Sequence, residues 1–349
     1  MIKQEENERT IRAIRTAGGS VMTTQVDISA TMTAHFRQLY SSWPADHKLR
    51  THCLVLPRKV IKTLEKNMTV REGLEVANSK LPSSALGPDG LPYQVYTLVP
   101  AMMGLLMRVC QWILILGEVP ASWNVAYIRC LLKKGKDKLL PESYQPISLI
   151  CTDCKIFTSI LATRLQSASG EIFGLEQTEY LKGRNTAMAA LRVADYFSRH
   201  NRAFPVLLDY EKAYDRVDHG WVDVCLSQAG VSQKLRRVLM ALLRGMKSRL
   251  IINRGLGEWF ANGSGVRQGD PLSPLLFLFC IHLLLARLTE LKVFTHAHCD
   301  DMVVAVHKHS ISKVLEALRQ YDSATGAAVN LNKSVLISAT ERVGFCHPF

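Results

Sequence analysis

Asp209 closes a short apolar run, Phe204-Pro205-Val206-Leu207-Leu208, whose composition predicts a buried strand. A carboxylate at a strand end is rigidly aimed yet open to solvent, which suits a metal ligand. Asp300 and Asp301 separate two further apolar runs, Val293–His298 and Met302–Val306, and so fall at the predicted tip of a hairpin. Adjacent aspartates repel at close range unless a divalent cation holds them. Oxygen-only carboxylate donors suit Mg²⁺, and two such ions stabilise the attacking and leaving oxygens of an in-line phosphoryl displacement. Taken singly, each feature is bland: a strand-end aspartate also caps a helix, and an Asp-Asp pair at a turn also sits in water.

The segment between them changes the weighing. Gly265-Val266-Arg267-Gln268-Gly269-Asp270-Pro271-Leu272-Ser273-Pro274 carries two glycines that permit close backbone approach. Arg267 and Gln268 offer donors to phosphate or base edges, and the two prolines set a helix start. A plain helix N-terminus needs no such polar pair.

The elements that must position these residues alternate strands and helices, as an α+β body does. Helical spacing covers Asp27–Tyr40, Tyr93–Leu116, Lys155–Leu165, His219–Ala229, Gln233–Leu243, the apolar stretch from Pro271 to Leu288, and Ile311–Thr325. Strands are predicted at Val125–Leu132, Tyr144–Ile150 and Ser334–Ile337, with hairpin strands Arg249–Asn253 and Glu258–Ala261 about Gly255 and Gly257. Gly87-Pro88-Asp89-Gly90 is a tight turn, and Lys133-Lys134-Gly135-Lys136-Asp137-Lys138 an exposed basic loop.

Composition bounds the partners. The chain has 349 residues, 43 Lys and Arg against 30 Asp and Glu, and a formal net charge of +13, which favours a polyanion. An apolar fraction of 48% excludes disorder throughout. The longest apolar stretches, Thr97–Val119 and Leu275–Ala286, are interrupted by Arg108, Gln111 and His282, so no membrane partner is expected. Nine scattered cysteines and a charged, signal-free start point to reduced thiols inside the cell, in nucleus or cytoplasm. Cys151 and Cys154 form a single C-x-x-C with no second pair at zinc spacing, and read as core thiols before they read as a metal site.

The ordered set Asp209-Tyr210-Glu211-Lys212-Ala213-Tyr214-Asp215, then Gly265 to Pro274, then Asp300-Asp301 resembles the reverse transcriptase of non-LTR (LINE-type) retrotransposons. Further similarities fall in family order from about Asp27 to Ser334: Gly87 to Pro92, Trp123 to Lys138, Ser143 to Leu149, Lys182-Gly183-Arg184, and Thr325-Gly326 with Asn330 to Ser334. The resemblance implies a right-hand polymerase with fingers and palm. Residues 1–80 would be an N-terminal helical extension, 81–200 the fingers with the start of the palm, 201–340 the palm, and 341–349 a truncated tail with the thumb missing. It implies that Asp209, Asp300 and Asp301 hold two Mg²⁺ ions with an incoming dNTP, on an RNA template and DNA primer. Tyr214 would be the aromatic gate against a 2′-hydroxyl. Tyr210, Gln268, Gly269, Lys133 or Lys134, and Lys333 would meet the nucleotide, and Arg267 and His298 the template and primer.

Some positions depart from the family pattern. His298-Cys299 stands where an aromatic residue and alanine precede the two aspartates, and Gln145 replaces the arginine of Y-R-P. Glu179 stands in place of glycine, with Tyr180 in place of phenylalanine, and Ser84-Ala85-Leu86 replaces a lysine-containing approach to the Gly87 turn. Two other classes therefore stay open beside the polymerase: an inactive, truncated remnant that binds nucleic acid, and an interaction domain with no nucleic-acid role.

Overall fold

The computed structural model describes residues 10–47, 55–337 and 342–344. These fall into two compact units, each cut from discontinuous stretches: 1–42, 67–160 and 237–273 form one, and 43–66, 161–236 and 274–349 the other. The contiguous partition at residues 80, 200 and 340 therefore does not follow the compact units. Periodicity reports local elements, whereas compactness is set by which distant segments share a core.

In the first unit, strand Val125–Leu132 pairs antiparallel with Tyr144–Leu149 and parallel with Lys247–Ile252. Two short returns, Gly255–Leu256 and Phe260–Ala261, fold back onto the same Lys247–Ile252 edge. The expected single hairpin is thus a strand with two returns. Asn253 and Arg254 both take left-handed φ, 48° and 70°, as the two-residue turn between strands demands. Helix Gln25–Leu39 starts at Thr24, whose hydroxyl accepts from Asp27 N at 3.2 Å. Its residues Ile28, Met32, Phe36 and Leu39 form one stripe and bury against Ile128, Leu250, Ile252 and Phe260 of the sheet.

The predicted helix Tyr93–Leu116 is two helices, Tyr93–Leu98 and Pro100–Leu116. Pro100 disfavours helical backbone at Val99, which sits at φ −118°, ψ 89°. The helix expected from Lys155 begins earlier and spans Thr152–Gln166. Its first turn is held from afar: Asp89 Oδ2 accepts from Thr152 N at 3.3 Å, and Thr152 Oγ1 donates to Leu91 O at 2.6 Å.

The second unit is built on a five-stranded antiparallel sheet in the order 342–344, Val335–Ile337, Phe204–Leu208, Asp301–Val306, Thr295–His298. Helix His219–Gln228 is capped by Asp218, whose Oδ1 accepts from Trp221 N at 2.8 Å. Trp221 and Tyr321 of helix Ile311–Thr325 meet edge-on at 6.3 Å and fill the interior. Helix Thr186–Arg199, which the expected elements do not include, buries little: among its residues only Ala189 is buried, and Tyr196 stacks on Phe294 at 4.0 Å. Helix Ser273–Glu290, expected from Pro271 to Leu288, is shifted by two residues and reaches the length of a membrane span. Two thirds of it is buried within the protein, as a core helix is.

Gly87 shows how tightly the first unit is drawn together. A Cβ there would lie 2.3 Å from the Ile150 carbonyl oxygen, which is backbone and cannot rotate away. Gly87→Ala is expected to destabilise the chain by about 1–3 kcal/mol in urea unfolding, the usual cost of forcing atoms into a packed site; an unchanged midpoint would show that the turn is free to move.

Candidate active site

Asp209 follows the last residue of strand Phe204–Leu208, and the turn after helix Ile311–Thr325 fixes its backbone. Asn330 N donates to Asp209 O at 2.7 Å, Asp209 N to Ser334 Oγ at 3.2 Å, and Glu211 N to Ala328 O at 2.9 Å. The Asp209 side chain points out, where Lys333 Nζ lies 3.3 Å from Oδ2.

Asp300 and Asp301 occupy the hairpin between Thr295–His298 and Asp301–Val306. The two-residue loop Cys299-Asp300 turns because Cys299 adopts a left-handed φ of 61°, a costly state for a non-glycine residue. Met302 pairs with Leu208, so the next position along each strand sets Asp301 beside Asp209. The electrostatics agree. Partial desolvation, then repulsion from Asp300 and Asp209, raises the Asp301 carboxyl above its ordinary value, while His298 and Lys333 oppose the shift. Asp300 and Asp209 both lie near enough to repel Asp301, and carboxylate oxygens of this kind are the donors that fit a hard divalent cation.

Tyr214 lies in the short helix Ala213–Arg216 and stacks on Phe277 at 4.6 Å. Cys299 Sγ donates to its hydroxyl at 3.4 Å, and Tyr180 bonds to the same group. The ring is therefore pinned against the Asp300-Asp301 hairpin. Tyr210 is placed differently from its expected nucleotide contact. Its side chain is buried, edge-on to Tyr321 at 6.0 Å, because successive residues of an extended segment face opposite sides and Asp209 takes the open one. What Tyr210 can offer a nucleotide is backbone.

In the first unit, Gln268 and Gly269 are stitched to strand Tyr144–Leu149. Ser148 N donates to Gln268 O at 2.7 Å, and Gln145 Nε2 donates to Gln268 Oε1 at 3.1 Å. Gly269 has φ +113°, and a Cβ there would lie 2.8 Å from Ser148 O, so only glycine fits. The residue expected to be arginine, Gln145, is thus committed to Gln268. Arg267 also departs from its expected template contact: it is buried, its Nε donates to Met246 Sδ at 2.8 Å, and its charge offsets Asp270. Burial raises the Asp270 carboxyl, and Arg267 and the Leu272 N–H hold it down, so the arginine balances a buried acid. Lys133 and Lys134 lie exposed in the basic loop.

Among the described residues, the one trio of His, Cys, Asp or Glu whose ligating atoms all fall within 4.8 Å is elsewhere: Asp89, Cys151 and Asp153. Those groups already serve the structure. Asp89 holds Thr152 N, Asp153 Oδ1 holds Cys154 N at 2.7 Å, and the Cys151 thiol, pushed up to about 11 by burial, donates to Ser122 O at 3.5 Å. A protonated thiol is a poor ligand. Cys154 is a core thiol, as expected.

Behind Asp209, burial raises the Asp322 carboxyl to about 7, against the Val329 N–H and Arg216, which pull it down. A raised native value means that the folded chain keeps a proton the unfolded chain loses. The stabilisation is complete below about 3.8 and is lost as pH rises to about 7. Asp322→Asn, which stays neutral, is expected to melt several degrees above wild type at alkaline pH and level with it in acid. Equal melting temperatures at every pH would remove this carboxyl from the balance.

Residues 131–346 match the family described as reverse transcriptase (RNA-dependent DNA polymerase). The chain is 31% identical over 250 residues to the Transposon TX1 uncharacterized 149 kDa protein of Xenopus laevis, covering 66% of this chain and 19% of that protein. It is 27% identical over 294 residues to the Retrovirus-related Pol polyprotein from type-1 retrotransposable element R2 of Popillia japonica, covering 80% and 40%. It is 24% identical over 297 residues to the RNA-directed DNA polymerase from mobile element jockey of Drosophila funebris, covering 80% and 32%. The chain spans less than half the length of each. With the ordered carboxylates, the Gln268-Gly269 turn and these matches together, the chain belongs to the reverse transcriptase family, as a domain of the non-LTR retrotransposon kind.

Proposed function

We propose that this chain carries out RNA-directed DNA synthesis: the primer 3′-hydroxyl attacks the α-phosphorus of an incoming dNTP, the bond from that phosphorus to the β-phosphate oxygen breaks, and pyrophosphate leaves. The observation that carries the reading is the strand register that sets Asp301 beside Asp209 at the open end of the antiparallel sheet. On this reading the second unit supplies the palm carboxylates, and the first supplies the basic loop of the fingers and the Gln268 turn. Asp209, Asp300 and Asp301 would hold two Mg²⁺ ions, which when bound supply charge neutralisation at the attacking and leaving oxygens.

The chain's own groups do the rest. The pinned Tyr214 ring narrows the space available to a 2′-hydroxyl and so favours deoxynucleotides. Lys333 offsets the charge on Asp209 and offers a cation to the outer phosphates. Gln268 and the backbone at Gly269 face a base pair with hydrogen-bonding groups, while Lys133 or Lys134 meets phosphate from the exposed loop. The partners are an RNA template, a DNA primer and dNTPs within the cell, in nucleus or cytoplasm, and the charge of +13 supports a polyanion.

A second reading, nucleic-acid binding without synthesis, is favoured by one observation: Gln145 is engaged with Gln268 and brings no charge for a triphosphate. Primer extension separates the two. Wild-type chain with primed RNA, dNTPs and Mg²⁺ is expected to extend the primer, and Asp300→Asn to reduce the rate by roughly 100-fold or more. Tyr214→Val is expected to admit ribonucleotides while preserving extension with dNTPs. Salt-dependent binding with no extension by wild type would establish the second reading, and extension undiminished in Asp300→Asn would sink the first.

A further inference from the structure

His298 and Glu179 meet in the folded chain. Glu179 Oε2 lies 2.7 Å from His298 Nε2, and Thr178 Oγ1 lies 3.2 Å from His298 Nδ1. The same Thr178 oxygen lies 3.3 Å from Nε2 of His296, two residues earlier on the strand. Whichever way the Thr178 hydroxyl turns, both nitrogens of the His298 ring have a protein partner.

The segment bearing Thr178 and Glu179 is itself held firmly. Ala297 N donates to Glu176 O at 2.7 Å and Thr178 N to Ala297 O at 3.3 Å, so residues 176–178 lie along the outer edge of strand Thr295–His298. Arg184 gathers the turn by donating to the carbonyls of Phe173, Gly174 and Gln177. Glu179 is thus delivered to His298 by a fixed backbone, and is one-third exposed, as is His298. Across the hairpin His298 is the register partner of Asp301.

An imidazole with free nitrogens is a polar, hydrated group. With both nitrogens taken up, what the one-third-exposed ring has left to offer a ligand is carbon, the surface of a small aromatic plate. The pairing also gives the Glu179 carboxylate a partner, so that it is not left alone beside a phosphate backbone. Resting on the polymerase reading above, we propose that Glu179 is a positioning residue. With Thr178 it occupies the nitrogens of His298 and so makes the ring a platform for the terminal nucleotide of a primer strand, beside Asp300 and Asp301.

Direct binding tests this without calling on catalysis. The full chain is titrated into a fluorescein-labelled DNA primer annealed to RNA, and anisotropy is followed. Glu179→Ala is expected to weaken binding by about five- to tenfold, within the range that loss of one stacking platform produces, while Glu179→Gln, which keeps an acceptor oxygen, stays within about twofold. Phenylalanine needs no partner, so His298→Phe combined with Glu179→Ala is expected to restore binding to within about twofold of wild type. Unchanged binding by Glu179→Ala, or a double variant no tighter than Glu179→Ala alone, would overturn the proposal. If Glu179→Ala does not fold, Thr178→Val frees Nδ1 instead and carries the same expected loss and the same rescue by phenylalanine. Wild type that binds the duplex but does not extend it would defeat the polymerase reading and leave this pattern to decide the role of Glu179. Wild type that does not bind the duplex overturns both.

Discussion

The repulsion of Asp301 by Asp300 and Asp209 is the constraint around which the second unit is organised. Asp209, Asp300 and Asp301 would move apart in a free chain, and the antiparallel register of strands Phe204–Leu208 and Asp301–Val306 prevents it. Sheet hydrogen bonds and buried aliphatic residues on both strands resist that repulsion. Lys333 and His298 temper it from opposite sides without abolishing it. A site that remains acidic and oxygen-rich is one that welcomes a hard cation.

The immediate surroundings are rigid for the same reason. The 328–334 turn zips along Asp209 to Glu211, so the first carboxylate cannot swing with a loose chain end. The hairpin tip is strained at Cys299, and that thiol is tied to Tyr214, which in turn stacks on Phe277. On its far side the hairpin strand is backed by the 176–179 segment. A strained tip persists only when its surroundings over-determine it, and these contacts do so.

The first unit solves a different problem, that of presenting a polar turn on a buried base. Gly269 lets the turn approach Ser148 closely, and Gln145 and Gln268 pair their amides at its surface. Beneath them Arg267 and Asp270 are buried together, with Thr158 and Lys155 completing the acid's surroundings. A buried acid and its counter-ion cost desolvation, and breaking one partner leaves the other uncompensated. Arg267 therefore serves the turn from below.

Much was legible in the residues themselves. Strands Val125–Leu132 and Phe204–Leu208 and helices Gln233–Leu243 and Ile311–Thr325 stand where their periodicity puts them, because each spacing is a local property of a buried face. The ordered acidic and glycine motifs likewise sufficed to indicate the family, since their chemistry requires those residue types. Pairings across the chain were not legible. Nothing local marks Asp89 as the cap of helix Thr152–Gln166, Tyr210 as a core residue beside a half-buried Asp209, Arg267 as a buried counter-ion, or Glu179 as the partner of His298. The sequence by itself determined which family the chain belongs to and where most elements lie, because those follow from side-chain type and short-range spacing. Only the tertiary structure decided which side chains remain open to a ligand, because burial and partnership depend on segments brought together from far along the chain.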